Sequence, residues 1–176
     1  MLVNLRRAVA LSVVLIVLCL VYTGVETVIG QVFFRSQADG SLTSYGSTEI
    51  AQTWAGPKWF QGRDDTPNPQ ESGPTNYGPR SIQLYDQVKT RAAQLEKEGI
   101  TPTNGLVTGS GSGLDPDIAP ADAYAQVGAV AKANGLAVSE VKALVASHVA
   151  GAYFGIFGSP YVNVLLLNEG LAKLKT

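Results

Sequence analysis

The sequence predicts a membrane protein with a single N-terminal transmembrane helix followed by one α+β soluble domain. Three features lead to that fold class: a long apolar segment near the N-terminus, helical apolar periodicity in the middle of the chain, and a short β-branched run near the C-terminus. The 176 residues suffice for one domain plus a small appendage. The formal net charge of −1 does not favour nucleic acid as a partner.

The anchor prediction rests on Ala8–Val25, which contains no charged residue. As a helix this segment spans about 27 Å, close to the thickness of the hydrocarbon core. A cleaved signal peptide is the alternative, but its apolar core is usually shorter, and Val21–Gly24 is a poor cleavage site. Arg6 and Arg7 precede the segment, so the positive-inside rule places the N-terminus in the cytoplasm.

We therefore divide the chain into 1–29, the cytoplasmic N-terminus and anchor, and 30–176, an extracytoplasmic soluble domain. Small residues on the anchor permit close packing of a partner helix in lipid. They are Ala8, Ser12, Cys19 and Gly24. Aromatic rings in Val28–Phe34 suit the headgroup boundary. Cys19 is the only cysteine, so the soluble part can form neither a disulfide nor a thiolate metal site.

Three helices are predicted in the soluble domain. The first covers Ser81–Glu98 and ends at Gly99, with its charged residues, including Arg91, on a solvated face. Its apolar stripe consists of Ile82, Tyr85, Val88, Ala92 and Leu95. The second covers Pro120–Asn134 and ends at Gly135. The third begins with Ser139 as its cap and ends near Gly151; the short connection predicts an antiparallel hairpin with the second.

Extended structure is predicted at two places. Gly46–Gln52 is interpreted as a short extended piece, and Tyr161–Leu167 as a strand, followed by a short helix over Leu167–Lys175. The aromatic residues Trp54, Trp59 and Phe60 are expected to pack in the core.

A loop rich in proline and glycine is predicted over Gly62–Pro79. It contains Asp64, Asp65 and Glu71, which are possible Ca²⁺ ligands. Their spacing does not match an EF-hand loop, so a solvated loop is the preferred interpretation.

The candidate functional site is the stretch Leu106–Pro120. Its glycines alternate with serines and permit unusual backbone conformations and close approach. The candidate residues are Gly109, Ser110, Gly111, Ser112, Gly113, Asp115 and Pro116. The stretch lacks the Lys of a phosphate-binding loop, and the dinucleotide fingerprint is absent. The centre of a nucleophile elbow is Ser, but here it is Gly111, so a structural or partner-contact loop is favoured.

Two further interpretations stay open. A membrane-anchored extracytoplasmic serine hydrolase acting through Ser112 or Ser110 could combine Ser112 with His148 and Asp115, although no motif spacing supports that triad. A ligand-binding protein is the other. His148 is the only histidine and lies among apolar residues, so we expect a core or helix-end position for it.

Taken in order, the sequence blocks resemble the KdpC family, the C subunit of the Kdp potassium-transporting ATPase. The most specific block is Leu106–Thr108 followed by Ser110–Pro116. The others are Gly40–Leu42, Gly46-Ser47, Phe60 with Gly62-Arg63, Asn68-Pro69, Ser72-Gly73, Gly78-Pro79, Gln126-Val127, Val130-Ala131, Gly135-Leu136, Pro160, Val162–Leu165 and Leu167-Asn168. The chain departs from the family pattern at Glu49, Ala51, Asp64-Asp65, Asp117, Ala129, Val149-Ala150 and Tyr161.

The resemblance implies a non-catalytic subunit of an ATP-driven potassium import complex in the cell membrane. Its implied partners are a channel-like potassium-binding subunit, a P-type ATPase subunit and membrane lipid. The family is described as stabilising the assembly and acting as a catalytic chaperone that raises the ATP affinity of the pump subunit. ATP and K⁺ are handled by the complex, and no cofactor is assigned to this chain.

Overall fold

The structure is a computed structural model, and it describes residues 2–65, 68 and 70–175. Thr66, Pro67 and Pro69 belong to the predicted loop over Gly62–Pro79 and lie outside the described residues. The chain forms two compact units, Met1–Leu42 and Thr43–Thr176.

The first unit contains α1 (Leu2–Phe33) and the short α2 (Arg35–Ala38). Of the helices in the described part of the chain, α1 alone is long and apolar enough to cross a membrane. It continues through most of the predicted interfacial segment Val28–Phe34. The hydroxyl of Thr27 donates to the carbonyl oxygen of Thr23 at 2.7 Å, so this polar group is satisfied within the helix.

The second unit combines helices with a small antiparallel sheet, which confirms the predicted fold class. Its helices are α3 (Ile82–Lys97), α4 (Asn104–Val107), α5 (Pro120–Asn134), α6 (Val138–Ser147) and α7 (Val164–Lys173). Its strands are β1 (Asp117–Ile118), β2 (Val149–Ala150) and β3 (Tyr161–Asn163). Strand β3 lies in the centre of the sheet, where Val162 is opposite Ile118 on one side and Val149 on the other.

The core of the second unit lies between the α5–α6 hairpin, α7, the central strand and the segment around Phe60. The hairpin was predicted, and so was a buried face of α5 that includes Ala123, Val127, Val130 and Ala131. Phe60 is fully buried, and Trp54 and Trp59 pack against the same core with their ring centroids 5.2 Å apart. The predicted packing role of the three aromatic residues is therefore confirmed.

Helix ends follow the glycines that the sequence places there. Gly135 caps α5 with a φ of 67°, and Gly99 follows α3 with a φ of 76°, both in the left-handed region that glycine favours. The start of α6 was predicted two residues too late, with Ser139 as the cap. Its cap is Ala137, whose amide donates to Glu140 Oε2 at 2.9 Å, so Glu140 satisfies a free amide at the N-terminus.

The predicted strand Tyr161–Leu167 is wrong over its second half. The strand stops at Asn163, whose side chain caps α7 by accepting from the amide of Leu166 at 3.2 Å. Val164, Leu165 and Leu167 are buried on that helix. A short apolar run fits a buried helix as well as a buried strand, and here the capping Asn163 decides between them.

Two other expectations fail. Ile82 and Tyr85 were assigned to the buried stripe of α3 but are exposed; Leu95 near its C-terminal end is buried, and Val88 and Ala92 pack partly against the core. The stretch Gly46–Gln52 forms turns in place of an extended piece. There the Gly46 carbonyl oxygen accepts from both the amide and the hydroxyl of Thr43.

Candidate functional site

The glycine–serine loop is held in place by the segment that follows Phe60. Asp65 accepts from the amide and from the hydroxyl of Ser110, each at 2.7 Å, with one carboxylate oxygen for each donor. Arg63 donates from Nη2 to the Gly109 carbonyl oxygen at 2.9 Å, and its Nε lies 4.0 Å from Asp115 Oδ2. The side chains of Asp65, Arg63 and Asp115 thus fix the start and the end of the loop.

The middle of the loop is held by the side chain of Ser72 and the backbone of Gly73. The Ser112 carbonyl oxygen accepts from the amide of Gly73 at 2.7 Å and from the hydroxyl of Ser72 at 3.1 Å. Gly113 has a φ of 68°, and a Cβ added there would lie 2.7 Å from the Gly73 carbonyl oxygen. Gly113 therefore needs to be glycine for conformation and for space.

The other two glycines of the loop differ from Gly113. Neither Gly109 nor Gly111 has a positive φ. A Cβ on Gly109 would meet Asp65 Oδ1 at 3.0 Å, whereas a Cβ on Gly111 would meet no described atom within 4 Å. Sequence reasoning treated the three as equivalent, and the structure gives each a different constraint.

The side chain of Arg91 on α3 also helps to hold this region in place. It donates to the Leu106 carbonyl oxygen at 3.3 Å and to Gln61 Oε1 at 2.9 Å, and it lies 3.7 Å from Asp64 Oδ1. Its side chain is only 13% exposed, so its assignment to a solvated face is wrong. Asp64 and Asp65 are also partly buried and hydrogen-bonded, where a solvated loop was expected.

Two buried amide side chains hold the backbone of Phe60 and Gln61. Asn168 on α7 exchanges two hydrogen bonds of 2.9 Å with the backbone of Phe60. Gln126 on α5 does the same with Gln61, at 2.8 and 2.9 Å. Sequence reasoning noted both residues only as parts of the resemblance. A useful signal was present, because each is a polar residue within an otherwise apolar helical stripe.

A separate cavity of about 450 Å³ lies beside the sheet. Burial raises the pKa of the Asp117 carboxyl, the hydrogen bond from Asn163 opposes that shift, and the nearby carboxylates of Asp115 and Glu49 add to it. The departures from the family pattern at Glu49, Asp117, Val149-Ala150 and Tyr161 all line this one cavity. The other departures, Ala51, Asp64-Asp65 and Ala129, do not line it, and Ala129 is buried on α5.

His148 also lines the cavity, and it caps the C-terminal end of α6 as a helix-end residue. Its Nδ1 lies 2.9 Å from the Leu144 carbonyl oxygen, and its ring packs against Gly170. The Ser112 hydroxyl instead lies 3.3 Å from that of Ser110 and accepts from the amide of Leu114. The hydrogen bonds of Ser112 and His148 therefore do not join them into the triad considered above.

The fold and the site define the class as a protein with one N-terminal helix long and apolar enough to cross a membrane and one α+β domain, whose glycine–serine loop is held by hydrogen bonds. The family model of KdpC, described as the K⁺-transporting ATPase c chain, matches residues 5–173. The chain is 42% identical over 170 residues to the potassium-transporting ATPase KdpC subunit of Paraburkholderia phytofirmans, covering 89% of this chain and 88% of that protein. It is 46% identical over 166 residues to the KdpC subunit of Burkholderia ambifaria, covering 86% of each chain.

The chain belongs to the KdpC family, the C subunit of the potassium-transporting ATPase. It is thus a non-catalytic component of the Kdp complex, and other Kdp subunits are its partners. This confirms the resemblance drawn from the sequence blocks.

Proposed function

We propose that this chain is the single-span accessory subunit that stabilises the Kdp assembly and raises the ATP affinity of the pump subunit from the extracytoplasmic side. Its partners in this proposal are the channel-like potassium-binding subunit and the P-type ATPase subunit. The observation that carries the proposal is the combination of family membership with one apolar helix, α1, whose uncharged stretch Ala8–Val25 directly follows Arg6 and Arg7. That pair of arginines favours a cytoplasmic N-terminus and an outside domain.

With the domain outside, the effect on ATP passes through the membrane. The anchor helix is the first candidate route, since small residues permit close helix packing in lipid. At about 100° per residue, Ala8, Ser12 and Cys19 fall within about 40° of one another, and Gly24 falls on the opposite side. The first three form the proposed contact face, and Gly24 marks a second face.

The braced loop is the candidate contact on the soluble domain. Its backbone is fixed by Arg63, Asp65 and Gly73, while Gly111 and Ser112 remain exposed. A surface that is already rigid loses little conformational entropy when a partner binds. We therefore assign Gly109–Gly113, Asp115 and Pro116 a partner-contact role that depends on this bracing.

The proposal is tested by purifying the complex with and without this chain and measuring K⁺-stimulated ATP hydrolysis against ATP concentration. Loss of the chain is expected to raise the ATP concentration at half-maximal rate and to lower the yield of the assembled channel and pump subunits. Adding back the purified chain should restore both quantities. An unchanged ATP dependence in a fully assembled complex would remove the ATP role, and unchanged assembly would remove the stabilising role.

A further inference from the structure

The connection between β2 and β3 ends in an exposed apolar tip formed by Tyr153–Phe157. Four of its five residues, Tyr153, Phe154, Ile156 and Phe157, carry large apolar side chains and are between 66% and 83% exposed. Single exposed apolar residues are normal on a protein surface, but four within one turn form a contiguous patch of the kind that marks an interaction site. Nothing in the family assignment or in the braced loop accounts for this patch.

The tip is a formed structure in which several backbone groups are paired with one another. The amide of Tyr153 donates to the Phe157 carbonyl oxygen at 2.7 Å, and the amide of Phe157 donates back to Tyr153 at 2.9 Å. The amide of Gly155 donates to the Ala152 carbonyl oxygen at 2.8 Å. Gly155 and Gly158 take positive φ values of 73° and 82°, which close the turn. Because these polar groups are satisfied internally, moving the tip into an apolar medium carries a smaller desolvation cost.

The chemistry of the tip selects a lipid surface over a charged partner. The stretch Val149–Tyr161 contains no charged residue. Aromatic and large aliphatic side chains are the residue types that enter the boundary between headgroups and acyl chains. The same polypeptide carries α1, so a domain tethered to a bilayer meets lipid at a high effective concentration, and a modest insertion energy suffices.

We propose that the tip Tyr153–Phe157 inserts into the surface of the membrane that α1 spans and gives the domain a second attachment to lipid. The insertion is driven by apolar burial and not by charge, since the tip offers no Lys or Arg to anionic headgroups. It therefore does not depend on the anionic lipid fraction or on salt. The proposal is independent of the ATP role and rests only on α1 spanning the bilayer.

The test uses the full chain in nanodiscs of phosphatidylcholine, with Cys19→Ser and a reporter cysteine at Ser159, an exposed polar position beside the tip. The reporter carries an environment-sensitive fluorophore, and the nanodiscs contain a lipid with a quencher just below the headgroups. Ser139→Cys is the matched control, because it is also an exposed serine but lies at the opposite end of α6. Quenching is expected to be several-fold stronger at position 159 than at 139, with or without phosphatidylglycerol and at low or high salt.

Two variants separate insertion by the tip from a general approach of the domain to lipid. The first combines Phe154→Asn, Ile156→Ser and Phe157→Ser, and the second is Phe154→Asp alone. All three positions are exposed, so the core is untouched, and both variants should lower quenching at 159 to the level at 139. Equal quenching at 159 and 139 in the unmodified tip would overturn the proposal, and so would quenching that persists in both variants. Shielding of the reporter from aqueous iodide only upon assembly with other Kdp subunits, without lipid quenching, would assign the tip to a protein partner instead.

Discussion

Asn168 and Phe60 are joined by a pair of reciprocal hydrogen bonds across 108 positions of sequence. The Asn168 side chain donates to the Phe60 carbonyl oxygen and accepts from the Phe60 amide, both at 2.9 Å, and both residues are fully buried. The amide side chain thus replaces the neighbouring strand that would otherwise pair with this backbone. Together with Gln126 on Gln61, it fixes the segment from which Arg63 and Asp65 reach the glycine–serine loop.

Asn168→Leu should destabilise the soluble domain by roughly 2–5 kcal/mol, because it leaves the buried amide and carbonyl of Phe60 unpaired. The measurement is thermal or denaturant unfolding of the full chain in detergent, followed by circular dichroism. Asn134→Leu is the control: its side chain also donates to a backbone carbonyl, that of Lys58, but at a less buried position. A cost equal to that of the control would show that the Asn168 pair does not stabilise the fold.

Valine substitutions at the three loop glycines should lower the free energy of unfolding by amounts that follow the local backbone geometry and the space around each glycine. Gly113→Val is expected to cost about 1–3 kcal/mol in backbone strain and more from the clash with Gly73. Gly109→Val should be intermediate, since Asp65 must shift to admit the side chain. Gly111→Val should stay within about 0.5 kcal/mol of the wild type, because its side chain meets open space. The free energy of unfolding of each variant checks the order. A loss of stability in Gly111→Val equal to that in Gly113→Val would contradict it.

Asp117→Asn should stabilise the domain at neutral pH. Burial raises the folded-state pKa of this carboxyl, so the folded domain favours the protonated form, and stability falls as pH rises from the ordinary value through the raised one. Asparagine cannot ionise, and its carbonyl oxygen can still accept from Asn163 Nδ2, as Asp117 Oδ1 does at 3.0 Å. The difference in melting temperature between variant and wild type should grow across that pH window and vanish below it. A difference independent of pH would mean that ionisation of Asp117 does not affect stability.

Replacing Ala8–Val28 by a leucine-only span should preserve membrane insertion but weaken co-purification with the other Kdp subunits. The reason is that leucine removes the close approach that Ala8, Ser12 and Cys19 allow. A second span that keeps only those three residues within leucine should recover assembly. Undiminished co-purification with the leucine-only span would mean that α1 is a passive tether.

The sequence predicted the helices of this fold better than its polar contacts. Gly99, Gly135 and the apolar face of α5 define helices locally, since capping and periodicity act over a few residues. The predicted burial of the first half of α3 was wrong because an apolar stripe is buried only where a partner surface covers it. Ile82 is exposed among the described residues. The strand prediction for Val164–Leu167 was wrong because a short apolar run has no periodicity that distinguishes a strand from a buried helix.

The sequence singled out the candidate loop by its composition, but it did not show which side chains hold the loop in place. The hydrogen bonds from Ser110 to Asp65 and from Arg63 to Gly109 join positions 45 and 46 residues apart, and pairing at that distance depends on the tertiary fold. Arg91 looked like a surface residue because neighbouring charges on α3 are solvated. Only the folded chain places Leu106 and Gln61 against it.

The central claim, an outside domain acting on the complex through the membrane, is tested most directly by the sidedness of two introduced thiols. In a Cys19→Ser background, Ser112→Cys reports the exposed loop and Asn4→Cys reports the start of α1. Intact cells, with any outer barrier permeabilised, are treated with a membrane-impermeant maleimide before and after the inner membrane is opened. The account predicts labelling at Ser112→Cys before opening and at Asn4→Cys only afterwards. The reverse pattern would place the domain in the cytoplasm and make direct contact with nucleotide the better mechanism.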